Sequence, residues 1–364
     1  MRIVLRVLAL AALLPAAGCA TLDYYAGAVS GHLELMARAR PLDEVLADPG
    51  LDARLRVRLE LAREVRAFAT RVLALPDNDS YRSYADLGRR FAVWNVVAAD
   101  PFSVQPRTWC FLIVGCLSYR GYFDEDEARA FAAELAGRGL DVHVAGARAY
   151  STLGWFDDPL LNTLMDLDEA RFIGVIFHEL AHQRLYVEDD TAFNESYASF
   201  VEREGVRQWY RARGDEAAWR RHRRALAREA SFRRLLLHAR GRLAAVYARD
   251  LPAGEKRRRK AGEFRRLRRA YAAWKRRWDG YGGYDRWMAQ ALNNAHLALV
   301  AVYNQWIPAF AALHRDSGDW EVFHRRAAAL GELPPEERRA RLEHLAAGTP
   351  DPDPGVRPPA PSPS

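Results

Sequence analysis

Apolar positions recur at spacings of three and four in the first part of the chain and again through its second half, with a different texture between them. In "LDARLRVRLELAREVRAFATRVLAL", Leu55, Leu59, Ala62 and Val65 fall near one face, so the stretch from Leu22 to Leu75 reads as helical. Pro76 and the polar cluster in "LPDNDSY" end it. Between Phe91 and Ser151, β-branched and aromatic residues come in short runs: "FAVWNVVAA", "WCFLIVGCLSYRGYF" and "LDVHVAGARAYS". With the helical "DEDEARAFAAELAGRG" among them, they predict a small sheet carrying one helix.

Gly154 and Pro159 in "STLGWFDDPLLNTLMD" predict a loop. A helix then starts at Asp166 or Asp168 and runs to about Leu185; its "LDEARFIGVIFHELAHQRL" is apolar on most sides, which predicts a buried centre. Asp190 or Thr191 can cap the next helix, in which Phe193, Tyr197, Phe200 and Val201 form a buried stripe and Glu195 lies off it. From Val206 to about Leu345 the pattern is helical, broken at "DLPAGE", "DGYGGYD" and "ELPPEE". The textures predict an α+β fold divided into a helical N-terminal segment (19–90), a core with a small mixed sheet (91–205), a large helical C-terminal region (206–346) and a Pro-rich, disordered tail (347–364).

Composition agrees with a folded chain: 364 residues, 49% of them hydrophobic, suffice for a sizeable core. The first eighteen residues, "MRIVLRVLALAALLPAAG", have a basic start and an apolar run shorter than the roughly 20 residues that span a bilayer, so they read as a signal peptide. "AAGC" resembles a bacterial lipoprotein signal, although Ala16 stands where leucine is usual. The resemblance implies cleavage before Cys19 and lipid on that cysteine, and Ala20 after it implies the outer membrane, facing the periplasm. An uncleaved anchor or an ordinary secretory cut is the alternative. Export leaves Cys110 and Cys116 where disulfides form, so they read either as a bridge across a tight turn or as two small core residues.

The net charge of +7 is uneven: between Arg203 and Arg277 there are 26 Arg and Lys against 7 Asp and Glu. Such blocks can bind nucleic acid, but 51 Arg against 3 Lys points to compositional bias, and an exported protein rarely meets nucleic acid. A solvated or membrane-facing helix surface is the better reading, with no nucleic-acid partner.

"FHELAHQ" is the stretch that packing alone does not explain. His178 and His182 are one helical turn apart, so both imidazoles project from one face and can share a metal ion. Neutral imidazole suits Zn2+, and a catalytic zinc site needs a third protein ligand and an open position. Glu195 is the leading third ligand, because a turnaround after Leu185 can aim the next helix's first turn at the pair; Glu188, Asp189 and Asp190 are alternatives. Glu179, beside His178, can act as general base toward water and then protonate the leaving amine.

These residues resemble the gluzincin metallopeptidases, in which HExxH is followed by a glutamate ligand on the next helix, often as Asn-Glu. More closely, "YADLGRRFAVWNVVAADPF", "WCFLIVGCLSYRGYFDE", "AYSTLGWFDDPLLNT" and "FHELAHQRLYVEDDTAFNESYASFVEREG" together resemble the bacterial family called putative aminopeptidases, predicted to be zinc lipoproteins. The resemblance covers about Tyr24 to Leu345 and implies a zincin-like α+β fold, one Zn2+ per chain and a peptide substrate. Three departures stand out. Only twelve residues separate His182 from Glu195, so the connection turns sharply. Ser199 replaces the aspartate that orients a zinc-bound histidine in thermolysin-like enzymes, leaving that role to another group such as Asp190. The "GAMEN" motif of many aminopeptidases is missing; Asp157 and Asp158 are candidates to bind a substrate ammonium, or simply cap the loop.

For the group that stabilises the tetrahedral intermediate, Tyr303 and His296 are candidates at a spacing that can share a helix face, with Tyr150 and Tyr197 as outsiders. The strand "DVHVAGARAYS" can pair with an extended peptide. The expected protein is an envelope-anchored zinc aminopeptidase; an envelope endopeptidase and a non-catalytic metal-binding scaffold are the rivals.

Overall fold

A computed structural model describes residues 23–111, 115–301 and 305–347; the segment with Cys19, the residue Tyr303 and the tail from 348 lie outside the described residues. The helices that carry the site and the core beside it begin where the sequence offers a side-chain cap. Asp52 accepts from the N–H groups of Arg54 and Leu55 to start α3 (Ala53–Leu73), Asp168 accepts from Arg171 to start α5 (Glu169–Arg184), and Asp190 accepts from Phe193 to start α6 (Thr191–Ala212). A preceding helix, α1, covers residues 23–37.

The apolar stripes of these helices meet in the largest core. Leu59, Ala62, Val65 and Leu73 of α3 pack with Phe172, Ile176 and Phe177 of α5 and with Phe193, Tyr197 and Val201 of α6. Helices α11 (Ile307–Arg315), α12 (Trp320–Gly331) and α13 (Pro335–Ala347) close the same core through Phe310, Phe323 and Leu342. This core therefore crosses the textural boundaries near residues 90 and 205. Gly205 permits a close approach of α6 to α5 and α3, since a Cβ there would lie 2.7 Å from the Phe177 ring and 2.8 Å from Leu73.

The strands form an α+β fold, but not as one sheet. Strand β3 (Val93–Ala99) is central, flanked antiparallel by β6 (Arg120–Tyr122) and β7 (Asp141–Ala147), with α4 (Glu125–Gly137) packed against them. A second sheet joins β1 (Arg40–Pro41), β2 (Ser83–Ala85) and β8 (Leu160–Leu161), the last pair parallel. Strands β4 (Trp109–Phe111) and β5 (Gly115–Leu117) make a separate hairpin closed by a Cys110–Cys116 disulfide. The single small sheet expected between Phe91 and Ser151 is thus two pieces among the described residues, and the β1–β2–β8 sheet is built from segments outside that span. Helices α7 (Glu216–Tyr247) and α8 (Ala253–Arg277) hold most of the basic surplus on their outer faces and bury Phe232, Leu236, Leu243, Phe264, Leu267 and Trp274 between them.

One buried histidine makes the core sensitive to acid. His324 accepts at Nδ1 from the Tyr197 hydroxyl (2.8 Å) and donates from Nε2 to the Leu73 carbonyl (2.8 Å), so the neutral ring is fully bonded. Burial lowers its pKa to about 4, only partly opposed by the Leu73 bond. A depressed histidine favours folding above its unfolded pKa of about 6.5 and loses that contribution as pH falls toward the folded value. The expected loss between pH 7 and pH 4 is about 3 kcal/mol from this residue. Urea unfolding across that range should show it, with a shallower decline in His324→Gln; equal slopes would place the acid sensitivity elsewhere.

Candidate metal centre

Helix α5 ends at Leu185 and α6 begins at Thr191, so the chain reverses within a short turn. Contacts run in opposite senses along the two helices: Glu195 faces His182 and His178, and Glu202, two turns later, faces His178 and Gly174. The pair is antiparallel, as the turnaround requires.

Three restraints fix the turn. Asn194, 2% exposed, accepts from Val187 N–H (2.8 Å) and donates to the Val187 carbonyl (2.7 Å). Asp190, besides capping α6, accepts from Arg338 of α13 (2.8 Å). Asp189 sits in the left-handed region (φ 60) and accepts from the Cys116 N–H (2.9 Å), which braces the turn against the disulfide hairpin. The Asn preceding Glu195 therefore shapes the turn that presents the glutamate.

The result is a cluster of three donors. His178 Nε2 and His182 Nε2 lie 3.1 Å apart, Glu195 Oε2 is 3.5 Å from the first and Oε1 is 3.8 Å from the second. One ligand atom from each residue lies within 4.8 Å of the others. Zinc–nitrogen bonds of about 2.0–2.1 Å in tetrahedral geometry put two nitrogens about 3.3 Å apart, close to the observed separation. The two imidazole nitrogens and one carboxylate also match zinc's preferences, so these residues fit the ion. Asp189 and Asp190 are committed to Cys116, Phe193 and Arg338, and the described metal-binding group contains neither them nor Glu188.

The group that orients His178 is Glu202, not Asp190. His178 Nδ1 donates to Glu202 Oε2 at 3.1 Å, which fixes the tautomer with Nε2 free to ligate. Gly174 makes this possible: a Cβ there would lie 2.9 Å from Glu202 Oε1. Its sequence signal is the seven-residue spacing from Glu195, two turns on the same face of α6. His182 Nδ1 has no hydrogen-bond partner among the described residues. Glu202→Ala is expected to weaken zinc binding about 10- to 100-fold while the fold persists; competition with a chelator measures it, and unchanged affinity would remove Glu202 from the site.

Electrostatically the centre is a dense set of coupled charges. Burial works against the His178 cation, but hydrogen bonds to Glu195 and Glu202 outweigh it and raise its pKa. Burial also opposes ionisation of Glu195 and Glu202, yet their bonds to His178 hold both carboxyls low. Glu179 makes the contrast: burial raises its carboxyl to about 7, the His178 charge opposes this, and Glu195, Asp158 and Glu202 add to it. His182 is pushed down to about 4 by burial.

The remaining candidates separate. Asp157 is exposed, whereas Asp158 is 1% exposed and holds the loop, accepting at Oδ2 from Thr152 N–H (2.9 Å) and Ser151 (3.2 Å). Its Oδ1 has no partner among the described residues, and its charge acts on Glu179. His296 lies outside the cluster: it completes the capping box of α10 (Asn294–Ala298) and stacks on His143 at 4.0 Å. Tyr197 is bonded to His324 in the core, and Tyr150 reaches His32 (3.3 Å). Sequence reasoning missed Tyr119 and Tyr81. Burial, then Glu195, Tyr186 and Glu179, raise the Tyr119 phenol; Tyr81, in the left-handed region (φ 63), is raised by burial and by Glu179 and Asp158.

The sequence profile of a family described as "Putative aminopeptidase" matches residues 23–342. The chain belongs to this family. The match takes in all three clustered donors together with Glu179, Glu202 and Tyr119. No curated protein and no solved structure matches the chain.

Proposed function

We propose that this member of the aminopeptidase family is a zinc-dependent metallopeptidase of zincin type that removes N-terminal residues from peptides, anchored to the bacterial outer membrane by lipid on Cys19. The convergence of His178, His182 and Glu195, with Glu202 behind His178, carries the reading. Zinc bound by these three residues would supply Lewis acidity, polarising the scissile carbonyl and making water more acidic. Glu179 takes the proton of the attacking water and passes it to the leaving amine; a carboxyl raised toward neutrality suits both transfers. Glu202 holds the His178 ring, and the α5–α6 turn holds Glu195.

Tyr119, partly buried just before β6 and with its phenol raised by burial and then by Glu195 and Glu179, is the group we assign to donate to the developing oxyanion. Tyr119→Phe is then expected to lower kcat about 10²-fold with little change in KM; steady-state kinetics decide, and a full-rate variant would end the assignment. β7 pairs with β3 on one side only among the described residues, which supports its use as the strand along which an extended peptide lies. Of the two loop carboxylates, exposed Asp157 is the one open to the substrate's ammonium, while buried Asp158 holds the loop and acts on Glu179.

The test is hydrolysis of a peptide library, free and N-acetylated, by the zinc-loaded protein. Release of N-terminal residues from the free set alone supports an aminopeptidase. Cleavage of both sets makes it an endopeptidase, and no cleavage with one bound zinc per chain favours a non-catalytic metal-binding lipoprotein.

A further inference from the structure

Among the described residues six large hydrophobic side chains are well exposed, and four of them gather in one place: Val29 (58%), Leu33 (60%), Trp155 (72%) and Phe156 (52%). Val29 and Leu33 are one turn apart on α1, and the His32 ring between them packs on Phe156 at 4.5 Å. Trp155 and Phe156 are not on a slack loop. Thr152 Oγ1 accepts from Phe156 N–H (3.0 Å) and donates to the Phe156 carbonyl (3.2 Å), Trp155 N–H donates to the Thr152 carbonyl (3.1 Å), and buried Asp158 ties down Thr152. The chain holds Leu153 (φ 57) and Gly154 (φ 84) in left-handed conformations to make this turn. A bonded and strained loop that displays two aromatic rings to solvent has the form of a preorganised contact surface.

The occupant follows from where the chain comes from. Helix α1 is described from Asp23, and Ala20, Thr21 and Leu22 lie between that residue and Cys19 in the sequence. Four peptide steps reach at most about 14 Å. With lipid on Cys19, a condition this inference takes from the proposed function, the start of α1 stays within about 14 Å of the headgroups. Val29 and Leu33, further along α1 by about 9 and 15 Å at 1.5 Å per residue, stay within reach of that bilayer, and α1 supplies no side chain to the metal cluster, which argues against a peptide as the occupant.

We propose that Val29, Leu33, Trp155 and Phe156 form a bilayer-docking surface that seats the protein on the membrane to which Cys19 tethers it. Aromatic and aliphatic side chains of this kind enter the headgroup–acyl boundary. The patch is apolar, and Glu34 at its border is already paired with Arg38 (2.7 Å). Docking should therefore resist salt. It would also set the orientation of the catalytic region, because the same loop carries Asp158 and lays Gly154 against Gln183 of α5, next to His182.

The test uses the mature chain isolated from an expressing bacterium, with the mass of its N-terminal peptide reporting acylation independently. On vesicles of phosphatidylethanolamine and phosphatidylglycerol with brominated acyl chains, tryptophan emission should be quenched. Trp155→Phe should remove more than half of that quenching, Val29→Ser/Leu33→Ser should reduce it, and it should persist in about 1 M salt, where the Debye length is about 3 Å. If the chain proves unacylated, the lipid reading fails; quenching of Trp155 would still support the patch, and its absence would overturn it. In an acylated chain, equal quenching of wild type and Trp155→Phe overturns the patch alone. Quenching lost in salt would transfer docking to the basic α7–α8 hairpin, and a raised KM for soluble peptides in Phe156→Ser with unchanged quenching would make the loop a peptide contact; both refute the proposal.

Discussion

Glu179→Gln is expected to keep one zinc per chain and to lower kcat about 10³-fold, within the range that general acid–base groups contribute. Glutamine preserves size and can still hydrogen-bond, but it can neither accept the water's proton nor deliver one to the leaving amine. Glu179 is not among the three clustered donors, so metal content should be unaffected. Its setting argues for the role: it is the carboxyl that burial and three neighbouring acids push up, while Glu195 and Glu202 are held low by His178. Two kinds of carboxylate thus share one site, one kept ionised for binding and orientation, one poised near neutrality for proton transfer. Metal analysis and single-turnover hydrolysis on the same sample test this. Unchanged turnover would sink the mechanism, and loss of metal would show that Glu179 contributes to ligation.

Much of the site could be read from the sequence because it is encoded locally. His178 and His182 fall on one face by helical spacing alone, and Asp168 and Asp190 lie where helix-start signals put them. The stripe Phe193, Tyr197, Phe200 and Val201 is buried, leaving Glu195 free to turn toward the histidines. What was not legible depends on contacts between distant segments. Glu202 reaches His178 only because Gly174 leaves room, a fact of packing between two helices. Tyr119 and Tyr81 arrive from loops 60 and 98 residues before Glu179, and no period in the sequence links them to α5. Asp190 was a reasonable orienting group by position, but its oxygens are taken by the α6 N-terminus and by Arg338. His296 shares a face with Tyr303 on paper, yet α10 is short and its histidine closes a capping box.

The loop that brings Tyr81 to Glu179 depends in turn on Arg66, whose replacement by leucine should cost about 4 kcal/mol of folding stability. Arg66 is 4% exposed and donates from Nε to Ser80 O (3.0 Å), from Nη1 to Thr70 Oγ1 (2.5 Å), and from Nη2 to the carbonyls of Pro76 and Asn78 (both 2.8 Å). Asp77 is its ion-pair partner among the described residues, at 3.9 Å, so backbone carbonyls rather than a counter-ion do most of the pairing. Leucine would fill part of the space and leave these acceptors without donors, at about 1–3 kcal/mol for each one that stays buried, reduced where the loop relaxes to water. The loop cannot relax freely, because Tyr81 N–H bonds to the Asp158 carbonyl (2.7 Å), and Ser80 Oγ accepts from Asp158 N–H (3.3 Å) and Gln183 Nε2 (3.2 Å). Asn78 Nδ2 completes the tie by donating to Gln183 Oε1 (2.7 Å), one residue beyond His182. Arg66→Lys, with one donor group in place of a fork, should recover only part of the stability. Denaturant unfolding of zinc-free protein measures both variants without the contribution of metal binding. A leucine variant within about 1 kcal/mol of wild type would mean that the loop finds other donors, and that the wall beside Glu179 is held by Asp158 and Gln183 instead.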